Sequence, residues 1–183
     1  MQVEPLAIPD VKLVRPRRHA DSRGYFVETW NRREFATAGI DVDFVQDNTS
    51  YSKSACTIRG LHYQRPPRAQ AKLVRVLRGA VFDVAVDIRR ASPTFGRHVA
   101  TRLTAEGGEQ LFVPAGFAHG FCALEPDTEL AYKVSDFYAR EQDAGILWND
   151  PALGIDWPLG GRAPVLSERD LKHPLLADAA FGF

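Results

Sequence analysis

Hydrophobic and polar residues alternate along the middle of the chain with the period of two that is typical of β-strands. The clearest alternation runs over residues 71–90, and Gly79 lies in its middle, where a tight hairpin would place a glycine. Further short strands are predicted at residues 99–103, 110–113, 120–124 and 129–134. Many short strands separated by Gly/Pro turns, with few helices, indicate an all-β antiparallel sandwich or barrel.

The two ends of the chain show weaker patterns. Strands are predicted over residues 3–14 and 25–30 and from residues 42–45 onward, and short helices over residues 31–39 and near residues 167–171. A polar run, Gln46 to Ser50, follows the third of these strands. No internal repeat or linker divides the sequence, so we expect residues 1–183 to form a single domain.

Composition excludes several classes of protein. The 23 Lys and Arg residues balance 23 Asp and Glu residues, so the chain has no net field that would hold nucleic acid or an acidic membrane. Its two cysteines, Cys56 and Cys122, lack metal-ligand spacing and are expected to be free thiols in a reducing compartment. Neither a signal peptide nor an apolar run of about 20 residues is evident. We therefore expect a cytoplasmic protein.

One short stretch concentrates chemically active side chains. Residues 59–64, with the sequence Arg-Gly-Leu-His-Tyr-Gln, and the nearby Lys72 interrupt a pattern that otherwise predicts strands. Clustered polar groups of this kind are costly to bury without a purpose, which predicts a cleft. Taken alone, a histidine such as His62 in a strand pattern is more often structural, and a lysine such as Lys72 usually keeps its ammonium group in water.

Residues 114–119, with the sequence Pro-Ala-Gly-Phe-Ala-His, resemble the second half-motif of cupin jelly rolls. In cupins the first half-motif usually brings two histidines, one residue apart, and a later glutamate to a metal ion. Here the matching place reads His62-Tyr63-Gln64, and no glutamate follows before Gly79. A transition-metal site needs three or four converging ligands, so we expect a metal-free version of this architecture.

A longer series of motifs strongly resembles the dTDP-4-dehydrorhamnose 3,5-epimerase family, over about residues 21–170. The motifs are Asp21-x-Arg23-Gly24-x-Phe26-x-Glu28, Gln46-x-Asn48-x-Ser50, Arg59-Gly60-Leu61-His62-Tyr63-Gln64, Gln70-x-Lys72, Pro114-x-Gly116-Phe117-Ala118-His119-Gly120-Phe121, Tyr132-Lys133 and Gly145-Ile146-x-Trp148-Asn149-Asp150-Pro151. The resemblance implies a cupin-type antiparallel jelly-roll barrel with a few short peripheral helices. It also implies a homodimer, in which the N-terminal strands extend the partner's sheet.

The implied activity is inversion of C3 and C5 of a dTDP-4-keto-6-deoxyhexose without a metal or redox cofactor. Two alternatives stay open: a 3-only or 5-only dTDP-sugar epimerase of an antibiotic-sugar pathway, and a non-catalytic cupin that binds a sugar nucleotide. A metal-dependent cupin oxygenase or isomerase is disfavoured, because the ligands for a metal are missing.

The implied chemistry assigns roles to four residues. Epimerisation beside a ketone needs a base for the α-proton, a group that holds the enolate oxygen, and an acid on the opposite face. The resemblance implies His62 as the base, Asp170 as the carboxylate that orients it, Lys72 at the keto oxygen and Tyr132 as the acid. Tyr138 is a nearby rival for the acid role.

The resemblance also implies a set of substrate-binding residues. Arg23 and Arg59 match pyrophosphate contacts, for which arginine forks are suited. The residues on the thymidine and pyrophosphate side would be Phe26, Glu28, Gln46 and Asn48. His119 is a second histidine near the sugar. From the strand pattern itself, Asp83 is expected to partner a histidine and Asp87 to be a solvated strand end.

Overall fold

The computed structural model describes residues 1–183, and its regular structure is nearly all β. One short helix, α1 (Arg32–Thr37), and one 3₁₀ helix (Asp170–Lys172) accompany thirteen strands. The strands are β1 (Gln2–Pro5), β2 (Lys12–Arg15), β3 (Arg18–Asp21), β4 (Gly24–Val27), β5 (Gln46–Ser52), β6 (Ile58–Gln64), β7 (Lys72–Arg78), β8 (Ala80–Asp87), β9 (His98–Thr104), β10 (Gln110–Val113), β11 (Phe117–Ala123), β12 (Thr128–Val134) and β13 (Asp143–Gly145).

Two antiparallel sheets form the body of the molecule. The six-stranded sheet has the order β1-β2-β10-β7-β12-β5, and the five-stranded sheet has the order β13-β6-β11-β8-β9. Most neighbours within a sheet are distant in sequence, because the chain crosses repeatedly between the two sheets, as in jelly rolls. The β3–β4 hairpin pairs with neither sheet. The prediction of an all-β, antiparallel jelly roll of the cupin type is confirmed.

Alternation along each strand sets how the sheets pack. In β8, Val81 and Ala85 face a core cluster shared by both sheets, whereas Val84 and Val86 face a second cluster on the opposite side. The C-terminal segment belongs to the second cluster, where Phe181 is buried. A slip of β8 by one residue would exchange these two faces, so the two apolar clusters fix its register.

The alternation over residues 71–90 does not form a hairpin. Strands β7 and β8 lie in different sheets, and Gly79 joins them with a φ of 77° at the crossing. A Cβ at this position would lie 2.4 Å from the hydroxyl oxygen of Thr128, so only glycine fits without a local shift. The hairpin prediction is wrong, because a period of two identifies strands but not the strands that they pair with.

Strand positions near the N-terminus also differ from the prediction. Residues 3–14 do not form one edge strand but contribute to two paired strands, β1 and β2. The strand predicted from residues 42–45 lies instead on the polar run that follows them, which forms β5. Gln46, Asn48 and Ser50, which alternate along this edge strand, line a cavity, and this is why β5 carries polar side chains on its inner face. The predicted helix is confirmed as α1, which begins after Asn31, whose side chain accepts from the backbone N–H of Arg33 at 3.1 Å.

Asp87 is buried, so its prediction as a solvated strand end is wrong. Its carboxylate accepts hydrogen bonds from Arg89 Nε at 2.9 Å and from the hydroxyls of Ser92 and Thr94, each at 2.6 Å. Burial alone would raise the pKa of Asp87, but these donors lower it to about 2. Asp87 therefore fixes the loop that follows β8.

No helix in the chain has the length and apolar character needed to cross a membrane.

Candidate active site

A cavity of about 770 Å³ opens between the two sheets. Its walls come from β5, β7 and β12 of one sheet and from β6, β11 and β13 of the other, together with the segment around the 3₁₀ helix. Eight of the eleven predicted site residues line it: Gln46, Asn48, Arg59, His62, Lys72, His119, Tyr132 and Asp170. The jelly roll thus gathers into one cavity residues that are up to 124 positions apart (170 − 46).

His62 and Asp170 form a hydrogen-bonded pair in the wall of this cavity. His62 lies on β6, and Asp170 opens the 3₁₀ helix near the C-terminus. With its proton on Nε2, His62 donates to Asp170 Oδ1 at 2.7 Å, which leaves Nδ1 as the basic atom. Asp170 is buried, whereas the His62 side chain is 31% exposed. The carboxylate of the pair is therefore enclosed by protein, whereas part of the His62 ring is accessible.

The surroundings keep this pair in a neutral-imidazole, ionised-carboxylate state. Burial lowers the pKa of His62, the nearby Lys72 ammonium lowers it further, and Asp170 only partly opposes them. Burial would raise the pKa of Asp170, but its neighbours His173 and His62 and the backbone N–H of Gly60 hold it well below its usual range. At neutral pH the imidazole can therefore accept a proton.

Lys72 supplies a buried positive charge beside His62. It opens β7, is 8% exposed, and its Nζ donates to the backbone carbonyl of His62 at 3.1 Å. Burial lowers the pKa of Lys72 to about 8, although Asp143 and Asp83 oppose this shift. The ammonium group is thus mostly charged at pH 7 and able to stabilise an oxyanion.

Three tyrosines line the cavity. The hydroxyl of Tyr63 donates to the backbone carbonyl of Ala180 at 3.2 Å, which leaves Tyr132 and Tyr138 as the two candidates for the acid. Tyr132 lies on β12, in the sheet opposite His62, and burial raises the pKa of its phenol, which keeps the proton on the hydroxyl. The hydroxyl of Tyr138 already donates to Asp143 Oδ2 at 2.9 Å, and its side chain is exposed. Tyr132 is therefore better placed to give up a proton inside the cavity.

A second histidine–aspartate pair lies next to the first. His119 on β11 is the register partner of His62 on β6, and its Nε2 donates to Asp83 Oδ1 at 2.8 Å. Asp83 is completely buried, and its Oδ2 has no hydrogen-bond partner. The prediction that Asp83 partners a histidine is confirmed.

The remaining predicted binding residues divide into two groups. Arg59 lines the cavity and donates to the carbonyl of Tyr51 at 2.7 Å, while the amide of Gln46 donates to Asn48 Oδ1 at 2.8 Å. These groups place donors and acceptors along β5 and β6 at the cavity wall.

Arg23, Phe26 and Glu28 lie elsewhere. They belong to the β3–β4 hairpin and the residue just after it, and none of them lines the cavity. The Arg23 guanidinium forms an ion pair with Asp21 at 2.6 Å, and Phe26 is 70% exposed. A single copy of the chain therefore does not bring these three residues to the site.

Sequence reasoning missed three charged or titratable groups around the pair. Asp143 opens β13 at the cavity, where Arg169 forms an ion pair with it at 2.8 Å. His173 lies beside Asp170, with its Nε2 at 3.6 Å from Asp170 Oδ1. The three-residue spacing of Asp170 and His173 was a usable signal, because the two side chains meet across one helical turn.

Together these features define a cupin-type jelly roll with a proton-transfer site between its sheets. The family model described as dTDP-4-dehydrorhamnose 3,5-epimerase matches residues 5–178. The chain belongs to this family, as its motifs predicted.

Curated relatives and solved structures agree with this assignment. The dTDP-4-dehydrorhamnose 3,5-epimerase of Pseudomonas aeruginosa is 54% identical over 180 residues, which cover 98% of each protein. The Bacillus anthracis enzyme of the same name, solved with TDP and PPi bound, is 48% identical with a TM-score of 0.92, over 95% of this chain and 98% of that one. A dTDP-6-deoxy-D-glucose-3,5-epimerase from Legionella pneumophila, in complex with dTDP-4-keto-L-rhamnose, is 43% identical with a TM-score of 0.93, over 98% and 94%.

Proposed function

We propose that this chain, an isomerase of the family just described, inverts C3 and C5 of dTDP-4-dehydro-6-deoxyglucose to give dTDP-4-dehydrorhamnose. The observation that carries the proposal is the hydrogen-bonded pair of His62 and Asp170 beside the buried ammonium of Lys72, with Tyr132 on the opposite wall. A base, a cation and an acid on two sides of one cavity are what epimerisation beside a ketone requires.

The first half of each inversion is proton removal by His62. The unprotonated Nδ1 accepts the proton from the carbon next to the C4 ketone, and the electron pair of the broken C–H bond forms a C=C bond. The C4 carbonyl oxygen becomes an enolate oxygen, whose negative charge the Lys72 ammonium stabilises. Asp170 stabilises the imidazolium that forms and holds the ring in orientation.

The second half is proton delivery to the opposite face of the same carbon. The Tyr132 hydroxyl donates its proton as the enolate electrons return to carbon, and the ketone is restored. Solvent then reprotonates the Tyr132 phenolate and takes the proton from His62, so the site returns to its starting state. The same cycle at the second carbon completes the change from the D-gluco to the L-rhamno configuration.

We assign substrate binding to two sources. Within one chain, Arg59 would hold the pyrophosphate, Gln46 and Asn48 would contact the nucleotide side, and His119 would lie by the sugar. The relatives solved with TDP or with a dTDP-sugar support a nucleotide-sugar ligand of this kind. No metal or redox cofactor has a step in this chemistry.

Arg23, Phe26 and Glu28 would reach a site only as part of a homodimer. They stand on a hairpin that pairs with neither sheet of its own chain, and Tyr25 and Phe26 expose their rings there. Strands β1 and β5 are open edges of the six-stranded sheet, and such edges are commonly covered by a partner. We therefore propose a homodimer in which each hairpin completes the partner's site. Sedimentation analysis would show a dimer, and a monomer with full activity would contradict this arrangement.

We also propose a cytoplasmic location and no nucleic-acid or membrane partner. Both cysteines are buried and free, as is usual for proteins in a reducing compartment. The balance of 23 basic and 23 acidic residues gives no long-range attraction to a polyanion.

Solvent isotope exchange tests the proposed reaction. Wild-type protein incubated with dTDP-4-dehydro-6-deoxyglucose in D₂O is expected to place deuterium at both C3 and C5. Deuterium at only one carbon would show a 3-only or 5-only epimerase. Deuterium at neither carbon, from a folded protein that still binds TDP, would overturn the enzymatic proposal and favour a sugar-nucleotide-binding cupin.

A further inference from the structure

We propose that His173 is a positioning residue, which fixes the Asp170 carboxylate and the His62 ring so that His62 stays ready to accept a proton. This inference rests on the proposed role of His62 as the base. His173 itself does not line the cavity, so it would act through its two neighbours rather than on the substrate.

The geometry places two imidazoles around one carboxylate. His62 Nε2 lies 2.7 Å and His173 Nε2 lies 3.6 Å from the same atom, Asp170 Oδ1. The two rings meet edge to face, with centroids 5.4 Å apart at 73°. His173 thus borders both members of the pair, and any movement of its ring changes the space available to each of them.

The His173 side chain is mostly enclosed, at 10% exposed, and its Nε2 makes no hydrogen bond. A buried polar nitrogen without a partner is costly, whereas an apolar side chain would fill the same space without that cost. The nitrogen faces the Asp170 carboxylate, so its contribution is an electrostatic contact with that group.

Gly145 leaves the room that the His173 ring occupies. A Cβ on Gly145 would lie 2.5 Å from His173 Nε2 and 2.6 Å from its Cε1. The backbone of Gly145 does not have the positive φ that would itself require glycine. Gly145 is also the register partner of His62 in the pairing of β13 with β6. The strand beside the base therefore lacks a side chain where His173 packs.

Several charged or titratable groups face His62 from the elements around it. They are Asp170 and His173 from the C-terminal segment, Lys72 from β7, Asp143 from β13 and His119 from β11. Burial lowers the pKa of His62 most, the charges of Lys72 and His173 lower it further, and the Asp170 carboxylate opposes them. Removal of His173 is therefore expected to raise the pKa of His62.

The first test is His173→Ala, examined by two independent measurements. NMR titration of ¹⁵N-histidine-labelled protein follows His62 directly among only five histidines, and we expect its titration to move to higher pH. The acid limb of kcat should move in the same direction, so that kcat near pH 6 falls by about two- to threefold relative to wild type, with KM little changed. Lys172→Ala, at an exposed neighbouring position, is the matched control and should leave both measurements unchanged.

The second test is a double-mutant cycle with Gly145→Ala. In wild type the new methyl group should displace the His173 ring and reproduce the fall in kcat. In a His173→Ala background the methyl group has room, so Gly145→Ala should add little further loss. Such non-additivity is the signature of a direct contact. His173→Gln keeps a polar side chain at this position, so it should change the His62 titration and kcat less than His173→Ala does; it also replaces His173→Ala if that variant does not fold.

An unchanged His62 titration in His173→Ala, or an additive cycle, would overturn the positioning role. The titration does not depend on turnover. If wild type shows no isotope exchange, the proposed reaction fails, and the response of His62 to His173 is still decided by NMR.

Discussion

The two histidine–aspartate pairs are neighbours in one sheet, yet their surroundings differ sharply. His62 and His119 face each other in the register of β6 and β11, and each donates to a buried aspartate at nearly the same distance, 2.7 and 2.8 Å. The His62 side chain is 31% exposed and that of His119 only 8%. Both imidazoles line the cavity, but the His62 ring is much more exposed, and we infer that this exposure, rather than the hydrogen-bonded pair alone, suits His62 to act as the base.

The origins of the two carboxylates differ as well. Asp83 comes from β8, next to β11 in the same sheet, so the fold of the sheet alone places it. Asp170 comes from the C-terminal segment, 108 residues from His62, and brings His173 with it. The pair proposed for catalysis thus depends on a segment outside the sheets, whereas the other pair is part of the sheet itself.

The largest effect should come from removal of the proposed base. His62→Asn is expected to lower kcat by about 10⁴-fold, because the other cavity imidazole, that of His119, is buried against Asp83 and should not replace the base. TDP affinity, measured by calorimetry, should change little. The parallel variant His119→Asn should lose far less activity, and equal losses in the two variants would remove the distinction between the pairs.

The next largest effect on kcat should come from a change of Asp170, the carboxylate that partners His62. Asp170→Asn is expected to lower kcat by about 10²-fold, because the amide cannot stabilise the imidazolium as the ionised carboxylate does. Circular dichroism should show a folded protein. A variant with wild-type kcat would mean that Asp170 is a structural residue only.

A change in the His119–Asp83 pair should lower the stability of the protein rather than its activity. Asp83→Ala leaves the buried His119 Nε2 without its acceptor, so we expect the free energy of unfolding to fall by about 1–3 kcal/mol. Chemical denaturation measures this loss. A fall in activity as large as that of Asp170→Asn, without a loss of stability, would show that the two pairs share one function.

The pH dependence of kcat should reflect the shifted pKa values of His62 and Lys72. The acid limb should lie below the usual histidine range, because the pKa of His62 is lowered and the imidazole stays neutral. Above about pH 8, Lys72 loses its proton and its stabilising charge, so kcat should fall there. A kcat that stays constant up to pH 10 would exclude the Lys72 ammonium from the rate-limiting step.

The smallest effect should come from the second tyrosine. The hydroxyl of Tyr138 is already bonded to Asp143, so Tyr138→Phe is expected to change kcat by less than about threefold. Tyr132→Phe is its matched comparison and should lose most of the activity. The reverse order would assign the acid role to Tyr138.

Much of the fold was predictable from local pattern. The strands over residues 98–134 lie where short apolar runs between glycine and proline turns predict them, and the glycine-closed helix begins at a side-chain cap. Strand partners were not predictable in this way, since Gly79 fits a hairpin and a crossing between sheets equally well. The polar strand β5 escaped the pattern because one of its faces meets a cavity rather than an apolar core.

The site was predictable only through the family motifs. Local pattern identified the cluster from Arg59 to Lys72, but nothing local joins it to Asp170 or to Tyr132. The spacing of Asp170 and His173 could have indicated their contact, but the gap that Gly145 leaves for the His173 ring on another strand is visible only in three dimensions. The position of Arg23 was also beyond the pattern, because its hairpin turns away from the cavity of its own chain.

The central claim is that the His62–Asp170 pair, and not the His119–Asp83 pair, moves the substrate protons. The direct measurement is deuterium incorporation from D₂O into C3 of dTDP-4-dehydro-6-deoxyglucose, compared among wild type, His62→Asn and His119→Asn at equal concentrations of folded protein. The expected result is exchange in wild type and His119→Asn and none in His62→Asn. Exchange that persists in His62→Asn and disappears in His119→Asn would contradict the claim.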